Sequence, residues 1–136
     1  MFTLNDDLSI YATRGDIVAF SVSAMDDATG DLYLFKPGDV VTIKIYGKKN
    51  AGDVVLSREF PVFAPSDPTE DFQGYETVDI YLDGEDMKIG DIISKPTDYW
   101  YEIVLNDKTG PQTIIGYDED GAKIFRLYPE GGDLEV

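Results

Sequence analysis

The chain has 136 residues, the size of one domain, with 43% hydrophobic and 28% charged residues, a globular composition rather than a disordered or collagenous one. It contains no cysteine and no histidine, which excludes disulfide frameworks, Cys/His zinc sites, thiol nucleophiles and every triad built on an imidazole. Asp and Glu number 27 against 11 Lys and Arg, a formal charge of −16 that repels nucleic acid and anionic membrane surfaces and opposes aggregation.

In chain order, the opening Met1-Phe2-Thr3-Leu4-Asn5-Asp6-Asp7 lacks the basic and apolar regions of a secretory leader, so no signal peptide is expected. The longest apolar runs, Ile17 to Phe20 and Leu32 to Phe35, fall far short of the ~20 residues of a membrane-spanning helix. The dominant period is two. Val18, Phe20 and Val22 alternate with Ala19 and Ser21, Val41, Ile43 and Ile45 with Thr42 and Lys44, and Val78, Ile80 and Leu82 with Asp79 and Tyr81. Such segments have one buried and one wet face. Strands are expected at Leu8–Thr13, Asp16–Met25, Leu32–Phe35, Asp39–Tyr46, Asp53–Val62, Tyr75–Leu82, Tyr99–Asn106, Gln112–Tyr117 and Lys123–Tyr128.

Turn chemistry separates them, as at Lys36-Pro37-Gly38-Asp39 and Asn106-Asp107-Lys108-Thr109-Gly110-Pro111. Asp118-Glu119-Asp120-Gly121 reads as a tight hairpin with Gly121 at positive φ. Asp83 to Asp91 reads as one capped helical turn, acids first and Gly90 as the stop. In an immunoglobulin-like sandwich such a turn crosses between sheets and delivers Tyr99–Asn106 as a central strand. The expected fold is all-β: an immunoglobulin-like antiparallel β-sandwich of about seven to nine strands with one short helical crossover turn, a single domain over 1–136. Residues 64–74 form its longest loop, in which Phe72 either pins the loop or waits for a partner. Residues 130–136 read as a frayed tail or a joint to a partner.

The chemical motifs are mostly absent. There is no phosphate-binding P-loop, no GxGxxG after a strand and no GxSxG elbow. An EF-hand aligned on Gly121 would place Gly116 and Leu127 at its end ligand positions, where both fail. Asp83, Glu85, Asp86 and Asp91 suit a helix start and need no ion. Glu102, between Tyr101 and Ile103, is the one carboxyl with apolar neighbours, but on a strand those neighbours face the other way. No catalytic, cofactor-binding or metal residue is assigned, and no cofactor is expected. Tyr101, Ile103 and Leu105 go to the core, which turns Trp100 outward or beneath a loop. Trp100, with Tyr46, Tyr81 and Phe72, makes up the candidate interface, since aromatic rings bury much area at little entropic cost. The same rings support an alternative, a carbohydrate-binding sandwich that stacks sugars on exposed aromatics. Arg14-Gly15-Asp16 matches an integrin-type tripeptide, but at a turn leading into a strand its structural reading wins.

Several stretches together carry a resemblance. They are Tyr11-Ala12-Thr13-Arg14-Gly15-Asp16 before an alternating strand, Phe35-Lys36-Pro37-Gly38-Asp39 running into Val40–Ile45, and Val54-Val55-Leu56 through Phe60-Pro61-Val62. Asp98 to Asn106 and Thr113 to Gly131 complete the set. The chain resembles structural proteins of phages and prophages of Gram-positive bacteria, in particular the immunoglobulin-like N-terminal domain of upper baseplate proteins, over Leu8 to Gly131. The resemblance implies a non-enzymatic virion part, made in the bacterial host cytoplasm, that docks other tail or baseplate proteins or a second copy of itself. In baseplate proteins further regions follow such a domain, whereas this sequence stops at Val136, which suggests a connector or fibre-attachment role.

Overall fold

A computed structural model describes residues 2–4, 7–26, 29–47, 53–67, 71–90, 95–116 and 122–130. Nine strands form among them: β1 (Phe2–Leu4), β2 (Ile10–Thr13), β3 (Val18–Val22), β4 (Val40–Tyr46), β5 (Val54–Pro61), β6 (Val78–Leu82), β7 (Thr97–Asp107), β8 (Gly110–Ile115) and β9 (Lys123–Tyr128). Seven belong to one sheet in the order β1-β2-β9-β7-β4-β5, with β8 also on β7, while β3 and β6 pair as a second sheet. Described residues of both sheets close over one core. Val18, Val22, Ile80 and Leu82 come from the small sheet and Ile10, Ile43, Ile103, Phe125 and Leu127 from the large one. Each such side chain, fully buried, stabilises the fold by roughly 1.5–3 kcal/mol. The alternating row Tyr101, Ile103 and Leu105 lies in this core, as its period requires.

β7 organises the large sheet. One edge pairs with β4 from Trp100 to Asn106. The other edge is divided, Thr97 to Tyr101 going to β9 and Ile103 to Asp107 to β8. Both partners run antiparallel to β7, so β8 and β9 follow one another along the same edge and do not pair as a hairpin. The chain leaves the edge at Ile115, opposite Ile103, and returns at Lys123, opposite Tyr101. Residues 118–121, read as a hairpin tip, lie outside the described residues, but the strands flanking them are not each other's partners. The sandwich is not wholly antiparallel either, because β2 and β9 run parallel from Ile10 opposite Phe125 to Thr13 opposite Tyr128.

One other expectation is corrected. Leu32–Phe35 forms no strand but splits its bonds between two isolated bridges, Met25 with Leu32 and Phe35 with Tyr75. Tyr33 packs edge-on against Phe35 at 5.4 Å, and its hydroxyl donates to Asp39 Oδ2 at 2.8 Å, which ties the segment to the turn after it. Gly74 lets the chain pass close by: a Cβ there would sit 2.8 Å from the Phe35 carbonyl oxygen. The segment after β6 is a single turn, with no helix among the described residues. Met87 N–H donates to the Asp83 carbonyl at 3.1 Å, and Asp86 N–H to Asp83 Oδ1 at 2.8 Å. The chain does cross there from the small sheet to β7 in the large one. An inward-facing Arg58 on edge strand β5 reaches that turn and pairs with Asp86 at 2.6 Å. A charge placed inward on an edge strand discourages pairing with foreign strands.

Candidate functional site

Because β7 commits one face to the core, Trp100, Glu102 and Val104 emerge on the outer face of the large sheet. Trp100 lies opposite Tyr46 of β4 and Ile124 of β9, and Glu102 opposite Lys44. The two candidates Trp100 and Tyr46 are thus register neighbours. Trp100 is half-buried. Tyr46 is only 7% exposed, and its hydroxyl donates to the Glu102 carboxylate. Burial first, then the bond and the negative charge of Glu102, push the Tyr46 phenol up to about 12. Tyr46 is therefore a satisfied residue of its own sheet and not an exposed anchor. A register shift between Ile45 and Tyr46 against β5 accompanies this placement. Glu102 is committed to holding that phenol. Further along the face, Arg126 donates to Asp98 through Nε at 2.6 Å and its cation lies 5.1 Å from the Tyr11 ring centre.

The other two candidates lie elsewhere. Tyr81 is 51% exposed on β6, opposite Ala19, on the outer face of the small sheet. Phe72 packs edge-on against Tyr75 at 5.1 Å, and Tyr75 donates its hydroxyl to the Phe63 carbonyl at 2.9 Å, so Phe72 pins its loop. Arg14 is buried and donates from Nη2 to the Gly90 carbonyl at 3.0 Å. Asp16 N–H closes the turn on the Thr13 carbonyl at 3.0 Å, with Gly15 at φ 88° in the position that favours glycine. The tripeptide is a structural turn, its arginine bound to the crossover.

One concave surface among the described residues joins residues that no motif in the sequence links. β8 lines an open groove with two chambers of about 340 and 640 Å³, the smaller walled opposite by β3 and the larger by the segment after it, Ser23 to Asp26; Ser23 and Ile114 border both. The smaller chamber is apolar, walled by Leu8, Phe20 and Ile115, and the larger reaches Asp26, Asp107 and Gln112. Met25, 69% exposed, lines the larger chamber and forms a bridge with Leu32, 47% exposed. Asp107 shapes the β7–β8 turn: its Oδ1 accepts Thr109 N–H at 2.8 Å and Thr109 Oγ1 at 2.6 Å, and these bonds hold its carboxyl below its ordinary range. One signal in the sequence bore on this place: the alternation of β3 runs on past Val22 to Ala24, and Met25 then breaks it with an apolar residue where the strand has already ended.

Among the described residues no three acidic side chains come together as a metal-holding group. The loop at 118–121 and Asp91 lie outside those residues. Asp86, one of the crossover acids, pairs with Arg58. Compared with known proteins, the chain matches no family model, no curated protein and no solved structure.

Proposed function

We propose that this chain is a non-enzymatic docking module of a phage particle, an immunoglobulin-like domain of the tail or baseplate that acts as a connector or fibre attachment and carries no cofactor. The virion setting rests on the resemblance over Leu8 to Gly131. The observation that carries the docking reading is the Met25–Leu32 pair, two large apolar residues held in register and left in solvent, with Met25 lining the groove. Water gains from covering such a pair, and a partner protein does so with its own apolar surface. Sugar stacking would call for coplanar exposed rings. Here Tyr11 and Tyr128 meet at 69° and Tyr46 is buried, so protein docking is favoured.

Co-expression with the products of the adjacent genes tests the reading. The expected result is a stable complex with a tail or baseplate subunit, weakened at least about tenfold by M25D, as expected for loss of an interface anchor. Neighbouring genes without any virion function, together with binding on a glycan array, would overturn it.

A further inference from the structure

We propose that the groove between β3 and β8 receives an extended, cationic segment of a partner protein as an inserted β-strand, a proposal that rests on the docking reading. Among the described residues β3 is paired on one edge only, by β6, and β8 on one edge only, by β7. A strand with an open edge presents unpaired N–H and C=O groups, a template for another strand. β8 lines both chambers of the groove and β3 the smaller one, and Ser23 and Ile114 line both chambers. Backbone bonds to either wall would supply affinity, and the chambers would receive alternate side chains of the guest.

The lining says what the guest is. One chamber is walled by Leu8, Phe20 and Ile115, so it takes apolar side chains. The other includes Asp26 and Asp107, and neither chamber has a Lys or Arg among its lining residues. The whole chain carries −16. A second copy would bring the same charge to an acidic groove and be repelled. A segment alternating apolar residues with Lys or Arg matches both the chambers and the field. The Phe2 ring stacks on Phe20 at 6.0 Å, tying β1 to β3 beside the smaller chamber, and Met25 lines the larger one.

The test uses the intact chain and an end-capped peptide of about ten residues, the upper range of natural strand lengths, with alternating Val and Lys. A second peptide carries Glu in place of Lys. Calorimetry reads affinity and amide hydrogen exchange reads the place of binding. The Val/Lys peptide is expected to bind, to slow exchange on β3 and β8, and to weaken at least about tenfold in T113K and in high salt, because electrostatic attraction of this kind is screened. T113E retains binding, which separates charge from a folding defect, and the Val/Glu peptide does not bind. Protection mapped to β5, equal binding by T113K, or open-edge amides of β3 and β8, those not bonded to β6 or β7, already slow in the free chain would each overturn the groove. The last result would mean that the chain's own residues or a second copy fill it. A tail protein that binds with its footprint away from β3 and β8 overturns this proposal and leaves the docking reading standing. Peptide binding on β3 and β8 with no virion partner supports the groove and removes the virion reading.

Discussion

A tyrosine on a strand gives up water from its ring at a gain and from its hydroxyl at a cost, so the partner of the hydroxyl decides where it sits. Tyr101 points into the core and donates to the Leu8 carbonyl, which accompanies a left-handed φ of 70° at Leu8. Tyr46 points outward and donates to Glu102. The phenol of Tyr46 ionises later in the folded than in the unfolded chain. Its contribution is therefore fully present below the ordinary tyrosine value of about 10 and is lost as pH rises from there through about 12. Tyrosinate absorbance, with Y46F as the reference, is expected to show this late titration, and E102Q to bring it earlier. An unchanged Tyr46 titration in E102Q would contradict the assignment. Gly15 is the second residue-scale case. At φ 88° an added Cβ is strained and meets the Glu130 carboxylate, so G15A is expected to lose roughly 1–2 kcal/mol in denaturant unfolding. The inward row of β7 was legible from alternation. The burial of Tyr46 was not legible, because a register shift and a bond to a residue of another strand leave no trace in a period of two.

Among the elements, β7 carries the most, paired along both edges and with Ile103 fully buried at its centre. I103A is expected to cost about 2–5 kcal/mol, and V54T on the exposed edge of β5 less than ~0.5 kcal/mol, both read from urea midpoints. Equal losses would mean that the layers are not arranged as described. Most strands were readable because one face is buried and the pattern is forced. Leu32–Phe35 was not, since its apolar run satisfies the strand pattern while its bonds go to Met25 on one side and Tyr75 on the other. β1 was passed over because three residues are too few to show a period. The pairing of β8 and β9 with a common partner could not be read at all: an acidic turn between two apolar runs looks the same whether the chain reverses or resumes. The groove was hidden for a related reason, since its walls are two strands far apart in sequence that do not pair.

At the scale of the molecule, −16 on a small body is self-repulsion that favours the expanded chain. Raising ionic strength from about 0.01 M to 0.15 M shortens the screening length from ~30 Å to ~8 Å. The Tm is therefore expected to rise by several degrees over that range, and a Tm that stays flat or falls would show that local ion pairs such as Arg58–Asp86 outweigh the overall field. The closing of the sheet sets an order on synthesis as well. β2 leaves the ribosome early, yet the edge it bonds belongs to β9, more than a hundred residues later. Until Lys123–Tyr128 emerges, Ile10 and Ala12 have no finished floor to settle on, and nascent chains must wait half-made with greasy ribbons bare. A cell making this protein in quantity would need its chaperones to meet that interval, and slowing translation late in the message would lengthen it.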